Sequence, residues 1–287
     1  MRFGFCVLTI PAEASSSEPE TQNLKPRTRN CMNPFLDAAT RAAREAGDLL
    51  RSNFGQPLKV AAEEAHDIKL DLDVRSQDLI TKVLLNEFPD HGVLGEEGPE
   101  QSSSKEFEWV VDPIDGTVNF FYAIPHFCIS IALRRKEEIL VGVIYDPIRE
   151  ELWQAVRDEK ATLNNQVIHV SQHTRVSEAI VSVGLSKTSR GIERGMTILN
   201  SMIGRARKCR LMGSAALDLA YVATGRFDAY IEGSVNWWDI AAGVLLVECA
   251  GGKVSIKPSP MAKGKLSVVA SNGKMNLELP EESDDVF

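Results

Sequence analysis

The sequence predicts a mixed α+β or α/β protein, and three observations carry that expectation. Two stretches with apolar residues at helical spacing come first and are followed by a series of β-rich runs. Beyond about residue 170, strand-like and helix-like stretches alternate, which is the pattern of an α/β layer arrangement. At 287 residues, with 44% hydrophobic and 25% charged content, the chain has ordinary globular composition and can bury a large core, as one domain or two.

Taken in order, residues 1–31 stand apart. "FGFCVLTI" and "PAEASSSEPETQN" have the order of a secretory signal, but Arg2 is the only basic residue before a short apolar run. The reading favoured is a disordered extension. From Asn33, the residues Phe35, Ala38, Ala39, Ala42, Ala43, Ala46, Leu49 and Leu50 mark a first helix, stopped by Gly55-Gln56-Pro57. "KVAAEEAHD" reads as a loop. Leu72, Ser76, Leu79, Ile80, Val83, Leu84 and Phe88 mark a second helix, closed by "FPDHG". "EWVVD" is a short strand. "CISIALRR", "EILVGVIYDP" and "ELWQAVRDEKATLNN" predict an antiparallel meander. "AIVSVGL", "KCRLM", "RFDAYIE", "KVSI" and "LSVVAS" are later strands; "GIERGMTILNSMIGRA", "SAALDLAYVATG" and "IAAGVLLVECAGG" are later helices. This predicts an N-terminal α+β subdomain over 32–170, a C-terminal α/β subdomain over 171–275, and an acidic tail over 276–287 that frays.

Charge and cysteine usage narrow the function classes. With 40 acidic and 32 basic residues the formal net charge is −8, which argues against a mainly electrostatic nucleic-acid binder. The five cysteines match neither a zinc site nor a redox pair, pointing to free thiols in a reducing, cytoplasmic setting. No apolar run approaches the length of a membrane span.

One stretch concentrates charge where a buried strand should end. In "EWVVDPIDGTVNF", Asp112 and Asp115 follow an apolar run, and only Pro113 and Ile114 separate them. Alone it reads as a turn, since Asp-Pro and Asp-Gly are turn signals and Pro113 keeps Asp112 out of helical geometry. Asp112 is then expected at the end of the strand and Asp115 just past it. "GEEGPE" places Glu96 and Glu97 in a glycine-flanked loop upstream. In "NWWDIAAG", Asp239 opens a helix after two tryptophans, where Asp is also a favoured N-cap. Each is weak alone. Together, Glu96, Asp112, Asp115 and Asp239 form an all-oxygen donor set that suits Mg²⁺ or Mn²⁺ better than zinc.

Those stretches, "GEE", "WVVDPIDGTVNF" and "WWDIAAG" in this order, resemble the inositol monophosphatase family. "DIKLDLDVRSQDLI", "FPDH" and "GSAALDLAYVATGRFDAYIE" extend the likeness over roughly Asn33 to Asn272. The resemblance implies a layered α-β-α-β-α sandwich, often a homodimer. It implies a Mg²⁺-dependent, lithium-sensitive phosphatase acting on a small phosphate monoester, foremost myo-inositol monophosphate, through a metal-activated water. Two or three ions are implied. Glu96, Asp112 and the Ile114 carbonyl would hold the first, Asp112, Asp115 and Asp239 the second. Thr117 paired with Asp73, with help from Glu96, would assist deprotonation of the water. The backbone of Gly116 and Thr117 would cradle the phosphate; Gly213, Ser214, Ala215 and Glu232 would meet the alcohol, and Asp115 and Asp239 also count among the substrate-binding residues. Without the resemblance Asp73 reads as an exposed acid favoured by the helix dipole.

Departures are few. "AAEEAH" stands where a mobile-loop Lys is common, Leu70 where Thr or Ser is usual, Val118 for a second Thr, and Tyr122-Ala123 for His-Gly. None removes an implied ligand. His126 is expected to pack in the fold. Rival substrates are 3′-phosphoadenosine 5′-phosphate, fructose 1,6-bisphosphate and histidinol phosphate. A regulatory binding protein on the same fold is the reading from another class.

Overall fold

A computed structural model describes residues 33–64, 67–98 and 105–280. The expected extension over 1–31 and the end of the acidic tail lie outside those residues.

Helix α1 (Pro34–Asn53) begins where Asn33 accepts hydrogen bonds from the amides of Phe35 (3.0 Å) and Leu36 (3.3 Å), with Pro34 in the first turn. Its buried face is almost all alanine, so it packs closely on α2 (Asp71–Glu87). Between them, where a loop was expected, β1 (Val60–Glu64) and β2 (Asp67–Leu70) form an antiparallel hairpin. The stretch is poor in β-branched residues, so its pairing is not written in local propensity.

Two sheets follow. The first has the order β3-β4-β5-β6-β7-β8-β9. It comprises β3 (Gly92–Gly95), β4 (Phe107–Asp115), β5 (Cys128–Arg135), β6 (Glu138–Asp146), β7 (Glu151–Val156), β8 (Thr162–Leu163) and β9 (Gln166–Val167). Only β3–β4 is parallel; the rest is the expected meander. The short helix α3 (Thr117–Phe121) leaves the end of β4. The second sheet joins β10 (Ile180–Val183), β11 (Lys208–Arg210), β12 (Ala229–Val235), β13 (Lys253–Pro258) and β14 (Leu266–Ser271), in the order β11-β10-β12-β14-β13.

The remaining helices explain the layering. The helices α5 (Ala215–Ala223) and α6 (Trp237–Cys249) are apolar on nearly all sides. A helix of that kind must be buried all round. Both lie between the sheets: α6 packs on β4–β7 on one side and on β13 and β14 on the other. Helices α1 and α2 cover the outer face of the first sheet. Helix α4 (Ser189–Ile203), which is amphipathic, covers the outer face of the second, against Val181, Val183 and Ile231. The result is the expected α-β-α-β-α sandwich. Its largest apolar cluster draws residues from both sheets, Val110 and Ile144 from one and Tyr230 and Val268 from the other.

The start of the acidic tail departs from expectation. Leu277 is buried beside α4, Glu278 pairs with Arg205 at 2.9 Å, and the Pro280 carbonyl accepts from Arg194 at 2.7 Å. One apolar anchor and two polar ties hold residues 277–280 down. Among the described residues, no helix is long and apolar enough to cross a membrane.

Candidate active site

The sequence expected β4 to stop at Asp112; it runs on to Asp115 through a bulge. Asp112 pairs with Ser130 and Asp115 with Cys128, so Pro113 and Ile114 together face a single residue of β5. Such an insertion bends a strand and re-aims its side chains. The Ile114 amide donates to Asp112 Oδ1 at 3.0 Å, and Ser76 Oγ donates to the Pro113 carbonyl at 3.3 Å. Ile114 itself is buried in the core under α1 and α2 and anchors the bulge. Gly116 then takes a left-handed conformation (φ 94°), which turns the chain into α3.

Around this bulge each carboxylate has a distinct support. Asp115 Oδ2 accepts from Ser214 Oγ (2.5 Å) and the Ala216 amide (2.7 Å), and Oδ1 accepts from the Ala215 amide (3.2 Å). The N-terminus of α5 therefore grips Asp115, and the Ser214 hydroxyl is engaged there. Asp239 is not an N-cap: it lies in the first turn of α6 and accepts from the Asn236 amide at 2.8 Å. Glu96 follows β3, and its amide donates to the Val111 carbonyl at 3.2 Å.

Asp73 is buried, at 2% exposure, not the solvated acid its place in a first turn suggests. Its Oδ2 accepts from the Leu70 amide at 2.7 Å, and Oδ1 lies 3.4 Å from Thr117 Oγ1. That hydroxyl also donates to the Ile114 carbonyl at 2.9 Å.

A cavity of about 410 Å³ brings these pieces together. Glu96, Asp112, Ile114, Asp115, Gly116, Thr117, Gly213, Ser214, Ala215, Glu232 and Asp239 all line it. Of the residues picked from the sequence only Asp73 is absent from the lining; it stands behind Thr117. The lining residues not singled out one by one from the sequence include Lys187, Asp218 and Tyr230. Lys187, in the stretch "VGLSKTSRG" between β10 and α4, brings positive charge to Glu96, Glu232 and Asp239. Asp218, a lone acid on apolar α5, is bonded by Ser182 Oγ at 2.7 Å; an isolated charge on so apolar a helix was the available signal. Tyr230 stands two residues before Glu232 on one strand, which puts both on the same face. His126 packs edge-on against Tyr221 at 5.9 Å, as expected of a core histidine, and burial followed by Arg149 lowers its pKa to about 4.

The electrostatics are those of like charges forced together. Burial and then Asp239 raise the pKa of Glu96 to about 7. Burial, then Glu96, Asp115 and Asp239, push Asp112 well above the usual carboxylate range. Burial raises Asp115 to about 6 against its hydrogen bonds from Ser214, Ala216 and Ala215. Burial and then Asp115 raise Asp239 to about 6. Burial lifts Asp73 to about 7, with Glu96 and Glu97 adding to it against the Leu70 amide and Thr117. Glu232 reaches about 8 through burial, against its bond from Tyr230.

This donor set fits a hard divalent cation. It consists of a carbonyl and crowded carboxylates, buried in Asp112 and Asp115 and half-buried in Glu96 and Asp239, whose mutual repulsion a cation relieves. Among the described residues, no group of three or more acidic, histidine or cysteine side chains is already arranged to hold a metal ion. Mg²⁺ does not ask for one, since it usually takes one or two carboxylates and keeps water and substrate phosphate for the rest.

A profile described as the inositol monophosphatase family matches residues 32–283. The chain is 40% identical over 227 residues to the Nus factor SuhB of Pasteurella multocida, covering 78% of this chain and 85% of that protein. It is 39% identical over 222 residues to the inositol-1-monophosphatase of Rhizobium meliloti, covering 76% and 84%. Among solved structures, the extragenic suppressor protein suhB from Bartonella henselae superimposes with a TM-score of 0.76 at 34% identity, covering 83% of this chain and 93% of that one.

Proposed function

Because the chain belongs to the inositol monophosphatase family, we propose that it hydrolyses a small phosphate monoester, foremost myo-inositol monophosphate, in a Mg²⁺-dependent reaction. One observation carries the reading. Four carboxylates from three distant parts of the chain meet in one cavity beside a threonine backed by a buried aspartate.

Glu96, Asp112, Asp115, Asp239 and the Ile114 carbonyl are the residues to hold the ions. Bound Mg²⁺ would supply charge neutralisation for the phosphoryl group and activate the attacking water. The chain's own groups do the rest. The amides of Gly116 and Thr117, at the start of α3, would position the phosphate. Thr117 Oγ1 has Asp73 and the Ile114 carbonyl as acceptors, so when it accepts a proton from the water it can pass its own to Asp73. Glu96, which lines the same cavity, would be a second acceptor. Gly213, Ala215 and Glu232 also line the cavity and would meet the alcohol, while Ser214 keeps Asp115 aimed.

A substrate panel tests this reading: phosphate release from myo-inositol 1-phosphate, 3′-phosphoadenosine 5′-phosphate, fructose 1,6-bisphosphate and histidinol phosphate, with Mg²⁺, with Mn²⁺ and with lithium. The expected result is the highest kcat/KM for the inositol ester and inhibition by lithium. A clear preference for another ester would replace the substrate and keep the chemistry. A homodimer belongs to the same proposal, and sedimentation of the purified chain tests it.

A second reading has its own support. Relatives named Nus factor SuhB suggest a role beside the transcription machinery. Full Mg²⁺-dependent turnover with no partner present favours the enzyme. Turnover that appears only with a partner favours the regulatory role.

A further inference from the structure

The far side of the cavity contains a carboxylate whose place is set by two neighbours. Tyr230 is fully buried, and its hydroxyl donates to Glu232 Oε2 on the same face of β12. On the parallel neighbour, β10 has just ended at Val183, which pairs with Ile231, and the Gly184 amide donates to the Ile231 carbonyl at 2.9 Å. A Cβ on Gly184 would stand 1.9 Å from Glu232 Oε2. No real pair of atoms tolerates that separation, so only glycine lets the carboxylate lie against this backbone. The β12–β14 ladder slips just after Glu232, between Glu232 and Val235, as ladders do beside sites where a side chain must be re-aimed. With Oε2 taken by Tyr230, the other oxygen is the one left for a ligand in the cavity.

We propose that Tyr230 and Gly184 are positioning residues that hold Glu232 as a hydroxyl acceptor and so make the site prefer polyol phosphate monoesters to monoesters of alcohols without hydroxyl groups. The proposal rests on the phosphatase reading above. Its physical basis is that a site built to hydrogen-bond a substrate hydroxyl discriminates against the analogue lacking it, provided the acceptor is fixed. Tyr230→Phe removes one oxygen and leaves Oε2 buried without its donor. Gly184→Ala displaces the same oxygen sterically, from a different strand.

The test compares kcat/KM for myo-inositol 1-phosphate and for phenyl phosphate in wild type and in both variants. In each variant the inositol-to-phenyl ratio should fall about tenfold, the worth of one well-placed hydrogen bond, with the inositol KM carrying the loss. In a Glu232→Gln background, Tyr230→Phe should add nothing further to that ratio. Equal loss on both substrates, as from a merely looser fold, would overturn the proposal, and so would an unchanged ratio. If either variant fails to fold, the other still decides. A wild-type protein that releases phosphate from neither ester in Mg²⁺ overturns the phosphatase reading and this inference with it; an active wild type with unchanged ratios overturns only the positioning.

Discussion

The two ends of the cavity are built differently. The end around Asp112–Thr117 is nearly contiguous in the chain. A bulge, a left-handed glycine and a short helix fix it through the backbone, and its aspartates are almost inaccessible, Asp112 at 2% and Asp115 at 8% exposure. The opposite end is assembled from the end of β10, the loop that follows it, and β12. Its rim carries an open apolar side chain, Leu185 at 41% exposure. Reaction chemistry needs fixed charge in a fixed frame, and the first end supplies it by local covalent geometry. Selection of an alcohol depends on shape, and the second end spreads that over distant residues.

Variants should separate the two ends by magnitude and by kinetic signature. Asp112→Asn should have the largest effect, a fall in kcat of about 10³-fold or more, as expected when a group that anchors transition-state charge is lost. The metal-free melting temperature should not fall, because a crowded buried charge has been removed. A variant that keeps its turnover would detach the first end from the chemistry. Asp73→Asn comes next, with kcat down about 10²-fold at near-constant KM, in the range for one lost acid–base partner. Steady-state kinetics check it, and a pure KM effect would move Asp73 to the binding side. Glu232→Gln, at the other end, should raise KM for the inositol ester about tenfold with kcat nearly kept, the pattern of lost uniform binding. A kcat loss as deep as that of Asp112→Asn would erase the distinction between the ends.

The smallest expected effect is on stability against pH. The folded pKa values of Asp73, Glu96, Asp115 and Asp239 lie at about 6 to 7, above ordinary values of 3.8 to 4.5. Between about pH 4 and about pH 7 the folded state keeps protons that the unfolded chain has released, so stability is present at the acid side and is lost as pH rises through that window. Metal-free protein should therefore melt a few degrees higher near about pH 5 than near about pH 8, and Mg²⁺ should narrow the gap by binding the ionised, folded form. Scanning calorimetry with and without Mg²⁺ measures both. An opposite slope without metal would mean that the crowded carboxylates are not what dominates the titration.

How legible all this was in the sequence follows the same division. The alternation of strands and helices was readable, but the full layering came from the family resemblance; its physical mark is that α6 is apolar on nearly every side while α1 and α4 are not. The acidic residues of the first end were readable because "DPIDGT" packs them into six positions. Tertiary structure decided what was not readable. Asp73 is buried by its neighbours, although its helical position alone suggests solvent. The β1–β2 hairpin pairs residues of low β-propensity. The loop "VGLSKTSRG" reads from the sequence as a shaper of specificity, but Lys187 within it carries no mark of its own, since an exposed lysine is the commonest of surface features.

The most direct test of the account is phosphate release by the purified chain alone on myo-inositol 1-phosphate, titrated with Mg²⁺ from chelated to saturating. The account predicts none under chelation, a saturable rise with Mg²⁺, and no rise in Asp112→Asn. A folded wild-type protein with no Mg²⁺-dependent release from any monoester at any concentration would contradict it.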